Sequence, residues 1–139
     1  MQSISDRQMY GLFEELIITK RKQRTIEERL FQGMGRPIHR KWMYERVQDQ
    51  YKHEKMIQEI ADKYLHEKIK IDILEHHALP YTSIVQELGN RLEDVANNIQ
   101  LMVYISQPID DFQLYKMINS MMSDEYIYQT RLVKILTER

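Results

Sequence analysis

The chain has no cysteine. That excludes disulfides, zinc–thiolate sites and thiol chemistry. It fits a reducing compartment, so a cytoplasmic protein is expected. Glycine and proline are scarce, 4 and 3 in 139 residues, too few for the many tight turns of an all-β protein. Neither sign of charge is in excess: 20 Lys and Arg against 21 Asp and Glu leave a formal net charge of -1. Nucleic-acid-binding chains usually carry a marked basic surplus, so no nucleic acid is expected as a partner. No run reaches the ~18 apolar residues of a transmembrane helix. The opening stretch, MQSISDRQMYGLFEEL, lacks the basic and apolar regions of a signal peptide. No membrane partner is expected. A Gly-x-Ser-x-Gly elbow, a phosphate loop and a dinucleotide fingerprint are all missing from the sequence.

What the chain does have is helix-forming residues. Hydrophobic residues make up 42% and charged ones 29%, the balance of an ordinary globular domain. The length suits one domain, 1–139, around a single core. Glu, Lys, Gln, Leu, Ile and Met favour long helices, and four segments can be drawn. The first starts at Ser5 or Asp6 and ends at Gly33-Met-Gly-Arg-Pro37. The second runs from about Pro37 to about His77, and its length predicts a break around His66–Ile71. Ile69, Ile71 and Ile73 alternate with polar residues, but a lone strand would have no partner. The third starts near Thr82 or Ser83 and ends at Ser106-Gln-Pro108, and Asp110-Asp111 opens the fourth. Short links between amphipathic helices predict an all-α, antiparallel four-helix bundle. An up-down order is the economical one. A crossover between the second and third helices is the alternative.

Two apolar stripes break at polar pairs three residues apart. The fourth segment reads Leu114, Ile118, Met121, Glu125, Tyr128, Leu132, Ile135. The second reads Met43, Val47, Gln50, His53, Ile57, Ile60, Tyr64. A buried carboxylate or imidazole is costly unless it is paired or metal-bound. The two pairs also fall in register when Asp49–Ile60 is laid on Asp124–Ile135, where Asp, Tyr and the last Ile coincide.

In bundle metalloproteins, two helices each carry an inward Glu-x-x-His pair and the other two each add a Glu. Residues at i and i+3 share a helix face, so carboxylate and imidazole reach one ion. Gln50-Tyr-Lys-His53 and Glu125-Tyr-Ile-Tyr128 resemble degenerate forms of that pair. The layout is similar to the ferritin-like superfamily, nearest to its rubrerythrin-type members. The resemblance implies a ferritin-like bundle with an iron or manganese site, at which His53, Glu125, Glu54, Gln50 and Tyr128 are the candidate ligands. The departures are Gln50 and Tyr128, and the first and third helices. The first helix reads Leu16, Thr19, Gln23, Ile26 inward, with Glu14, Glu15, Glu27 and Glu28 expected on flanking or solvent faces. The third reads Leu88, Leu92, Val95, Ile99, with Glu87, Glu93 and Asp94 beside that stripe. The expected function is therefore a non-catalytic structural or interaction protein without a cofactor. The alternative is a metal-binding ferritin-like protein or oxidoreductase.

Three further features have ordinary readings. The basic run Lys20–Arg24 is expected on a solvated face with i,i+4 ion pairs. Glu75, His76 and His77 suit a helix C-terminus. Nine Tyr and nine Met suit a core boundary and adaptable contacts. Met117–Met122, with Leu101 and Tyr104 off the main stripe, predicts a homo-oligomer, a dimer, or another protein partner.

Overall fold

The computed structural model describes residues 4–71 and 81–138. The described residues form four helices: α1 (Asp6–Gly33), α2 (Pro37–Leu65), α3 (Ile84–Ser106) and α4 (Phe112–Thr137). Among the described residues there is no strand, so Ile69 and Ile71 lie in irregular chain. Among the described residues, no helix is long and apolar enough to cross a membrane.

The helix ends follow from local chemistry. Ser5 caps α1 by accepting from the Gln8 amide, while the Gln8 side chain accepts from the Ser5 amide. This reciprocal box satisfies two otherwise orphaned donors. Pro37 opens α2, where its missing N–H costs nothing. Ser83 caps α3, and Asp111 caps α4 by accepting from Gln113 and Leu114. The break expected in the second segment falls at His66, whose φ of 56° puts it in the left-handed region. The expected continuation to His77, with Glu75, His76 and His77, lies outside the described residues.

Direction follows from the contacts between helices. α1 and α2 form one antiparallel hairpin, and α3 and α4 the other. Gly33 lies against Ile84, and Gln23 bonds Asn98, so α3 runs antiparallel to α1. Arg131 meets Glu45, and His53 meets Asp124, so α4 runs antiparallel to α2. Every packed pair is antiparallel, while α2 and α3 point the same way. The chain leaves α2 beside Tyr10, whose hydroxyl accepts from the Lys70 amide. It re-enters at Tyr81 under Arg29, at the opposite end of α1. The bundle therefore takes the crossover rather than the up-down order.

The core has two apolar halves. One contains Met9, Phe13, Ile17, Ile57, Ile60, Met102, Ile118 and Met121. The other contains Leu30, Met43, Leu88, Val95, Leu132 and Ile135. Each buried side chain of this size contributes about 1.5–3 kcal/mol. Between the halves, each helix turns polar residues inward: Lys20, Gln23 and Glu27 on α1; Arg46, Gln50 and His53 on α2; Asn98 on α3; Glu125 on α4.

Candidate functional site

This polar layer is the candidate site. Glu125 is fully buried and its carboxylate is saturated. Arg46 donates to both of its oxygens, Nη1 to Oε2 and Nη2 to Oε1 at 3.1 Å. Lys20 Nζ stands 3.2 Å from Oε1, and Asn98 donates to the same oxygen at 2.6 Å. The Arg46 fork continues to Glu27, with Nε 3.0 Å from Oε2. Gln50 donates to the other Glu27 oxygen at 2.8 Å. Gln23 and Asn98 exchange amide hydrogen bonds at 3.0 and 2.9 Å, which ties α1 to α3. One polar atom of the layer, Gln50 Oε1, has no partner.

Lys20 also reaches His53. Its ammonium donates to Nδ1 at 3.1 Å, and the ring's Nε2 donates to Asp124 at 2.8 Å. Both ring nitrogens are occupied, which fixes the tautomer with hydrogen on Nε2. His53 and Glu125 thus converge, but they converge on an ammonium. Tyr128 is buried, its ring stacked under the Arg46 guanidinium at 4.0 Å. Glu54 lies on the outer α1/α2 surface, paired with Arg21 and Arg24 at 2.6 and 3.1 Å.

Electrostatics follow from this geometry. Burial would raise the Glu125 pKa, but Lys20 and Arg46 outweigh it and hold the carboxyl well below its usual range. Burial lowers the Lys20 pKa to about 8, against the pull of Glu125. Burial and then the Lys20 charge lower His53 to about 4, so its ring is neutral at pH 7. Burial opposes the charge on Arg46, but Glu125 and Glu27 raise its pKa above the usual arginine value.

Three sequence expectations are corrected here. Glu27, expected on a flanking face, is fully buried. Lys20, expected on a solvated face, is also fully buried. Glu87, expected beside the α3 stripe, is buried and paired with Arg91 at 3.4 Å. The cause is the same each time. Charged residues were assigned outward by type, whereas the inward positions are set by spacing. Met9, Phe13, Leu16, Lys20, Gln23, Glu27 and Leu30 form an unbroken 4-3 repeat, and all are buried. Arg46 was missed for the same reason. Asn98 was missed because the α3 stripe is expected through Leu92 and Ile99, which are half-buried, whereas the buried one runs through Leu88, Arg91, Val95, Asn98 and Met102.

The atoms that a di-metal centre would use as ligands are bonded within the chain. Glu125 and Glu27 have their oxygens committed to Lys20, Arg46, Gln50 and Asn98, and His53 has both nitrogens bonded. Two cations from the chain stand where cationic charge would balance two buried carboxylates. Among the described residues, no three His, Cys, Asp or Glu side chains group to hold an ion.

No protein-family model matches the chain, and no curated protein does. A solved structure does. It is a two-domain protein from Anabaena variabilis, with DJ-1/ThiJ/PfpI-like and ferritin-like domains. It matches at a TM-score of 0.71 and 13% identity, over 98% of this chain and 38% of that one. The fold is therefore a ferritin-like four-helix bundle.

Proposed function

We propose that this is a non-catalytic ferritin-like protein, of rubrerythrin-type descent, in which an internal ionic layer takes the place of the di-metal centre. Its role is structural or one of interaction. The observation that carries the reading is Lys20, whose ammonium lies between His53 Nδ1 and Glu125 Oε1, at 3.1 and 3.2 Å. Arg46 supports it by bridging Glu27 and Glu125. A divalent ion would have to displace a buried cation that already neutralises its ligands.

Metal analysis of protein purified without chelator tests this. The expected content is below ~0.1 iron or manganese per chain, with no effect of chelator on thermal stability. About one ion per chain, lost in His53→Ala, would overturn it. That result would support the alternative, a metal-binding or oxidoreductase protein using His53 and Glu125 with Glu54, Gln50 or Tyr128. The convergence of His53 and Glu125 on one point favours that second reading.

A further inference from the structure

The two outer seams of the bundle differ in kind. The α1/α2 seam is closed by charge, with Arg21 and Arg24 on Glu54. Among the described residues, no ion pair joins the α3/α4 seam. The α3 flank bearing Asp94, Asn97 and Leu101 shares a groove with Glu15, Thr19 and Gln23, so that flank faces α1. Asp124 and Arg131 face α2. The remaining flanks of α3 and α4 therefore border one another on the outside.

Each of these flanks has a second heptad repeat besides the core-facing one. On α3 it reads Val85, Gly89, Leu92, Ala96, Ile99, Val103. On α4 it reads Tyr115, Asn119, Met122, Tyr126, Gln129, Val133, Leu136. Neither contains a charged residue. Leu92, Ile99, Met122 and Leu136 are partly buried against the core. Val85, Val103, Tyr115, Tyr126 and Val133 are 42–54% exposed. A 4-3 apolar repeat is the pattern by which one helix packs on another, and here it faces outward.

Gly89 belongs to the α3 repeat, and a Cβ there would meet nothing within 4 Å among the described residues, as is also true of Gly11 in α1. Glycine inside a helix costs stability relative to alanine, and at Gly89 it leaves a hollow in the exposed face.

We infer that the α3/α4 face joins two copies of this chain in a two-fold dimer, giving an eight-helix assembly. The face suits itself. Small residues on α3, Gly89 and Ala96, offer hollows, and large exposed ones on α4, Tyr115 and Tyr126, offer knobs. An isologous contact sets α3 of one copy on α4 of the other. Without charge on the face, no like charges meet. From Val85 to Val103 it is about 27 Å long. Two helices wide, it covers on the order of 550 Å² per copy, or about 1,100 Å² in all, the size at which specific interfaces begin.

Sedimentation velocity on the full chain at micromolar concentration tests the inference. The expected species has twice the mass of the chain. Ala96→Glu keeps a helix former on an exposed position, and is expected to give a monomer of unchanged helical circular dichroism. Tyr126→Lys makes the same test from α4 should the first variant fold poorly. Gly89→Ala is expected to raise helical content while weakening association about tenfold. Lys55→Glu, on the charged α1/α2 side, is expected to leave the dimer intact. A monomeric wild type, a dimer that survives both Ala96→Glu and Tyr126→Lys, or one abolished by Lys55→Glu would overturn the proposal. None of these readings depends on metal content.

Discussion

Lys20 Nζ lies 3.2 Å from Glu125 Oε1, and neither side chain has any exposure. With Arg46 and Glu27, they make a layer of two cations and two carboxylates. Removing water from these groups is costly, and only mutual pairing offsets the cost. Lys20→Met leaves one carboxylate in excess and is expected to lower unfolding free energy by about 3–5 kcal/mol. The double variant Lys20→Met with Glu125→Gln restores the balance as Arg46 with Glu27. Urea unfolding should show the double variant at least about 1 kcal/mol more stable than the sum of the two single losses. Simple additivity would mean that the pair is not coupled.

The same layer sets an acid dependence. His53 is lowered from 6.5 to about 4 by burial and by Lys20. Between those values the unfolded chain holds more protons than the folded one, so stability falls as pH drops through that window. A shift of this size corresponds to roughly 3 kcal/mol. The Glu125 pKa is depressed, so its contribution is present above its unfolded value of 4.5 and is lost below it. The melting temperature is therefore expected to fall steadily from pH 6.5 downward. His53→Gln, which cannot titrate, should flatten the curve between pH 6.5 and 4 and leave the steeper loss below 4.5. An unchanged profile in that variant would assign the dependence elsewhere.

How much of this was legible in the sequence depends on what fixed each position. The α4 stripe from Leu114 to Ile135 was readable in full, because six of its seven members are apolar or aromatic and Glu125 stands out. Gln50 and His53 were readable for the same reason. Lys20 and Glu27 were not, because buried charges are rare and such residues are ordinarily placed outside. Their partners sit 105 and 19 residues away in sequence, on Glu125 and Arg46. No local pattern pairs them. The crossover was open to a sequence reading only as an alternative, since helix direction depends on packing that the heptad repeat does not encode.

The Gln23–Asn98 pair is expected to join α1 to α3 by its amides rather than by apolar contact. Each donates to the other, and Asn98 also donates to Glu125. Asn98→Leu keeps volume but leaves Gln23 Nε2 without its acceptor, while Gln23 Oε1 still accepts from Gln50 at 3.3 Å, and removes one donor from Glu125. Its expected cost is about 1–3 kcal/mol. Adding Gln23→Leu removes the stranded Nε2 donor, and Gln50 keeps its bond to Glu27, so the double variant should recover part of that loss. Chemical denaturation of the three variants reads both effects.

Glu54 provides the contrast that separates core from surface. It was a candidate ligand by its place beside His53, but one step of 100° along α2 turns it to the outer seam. There it pairs with Arg21 and Arg24, with 17% of its side chain exposed. Pairs open to water are weakened by competing solvent and by salt. Glu54→Ala is therefore expected to cost no more than about 1 kcal/mol, and less still in high salt. The loss in Lys20→Met should persist in the same salt, because water and counterions do not reach that layer. A large, salt-insensitive loss in Glu54→Ala would show that its carboxylate acts within the core, and the separation between the layer and its outer seam would fail.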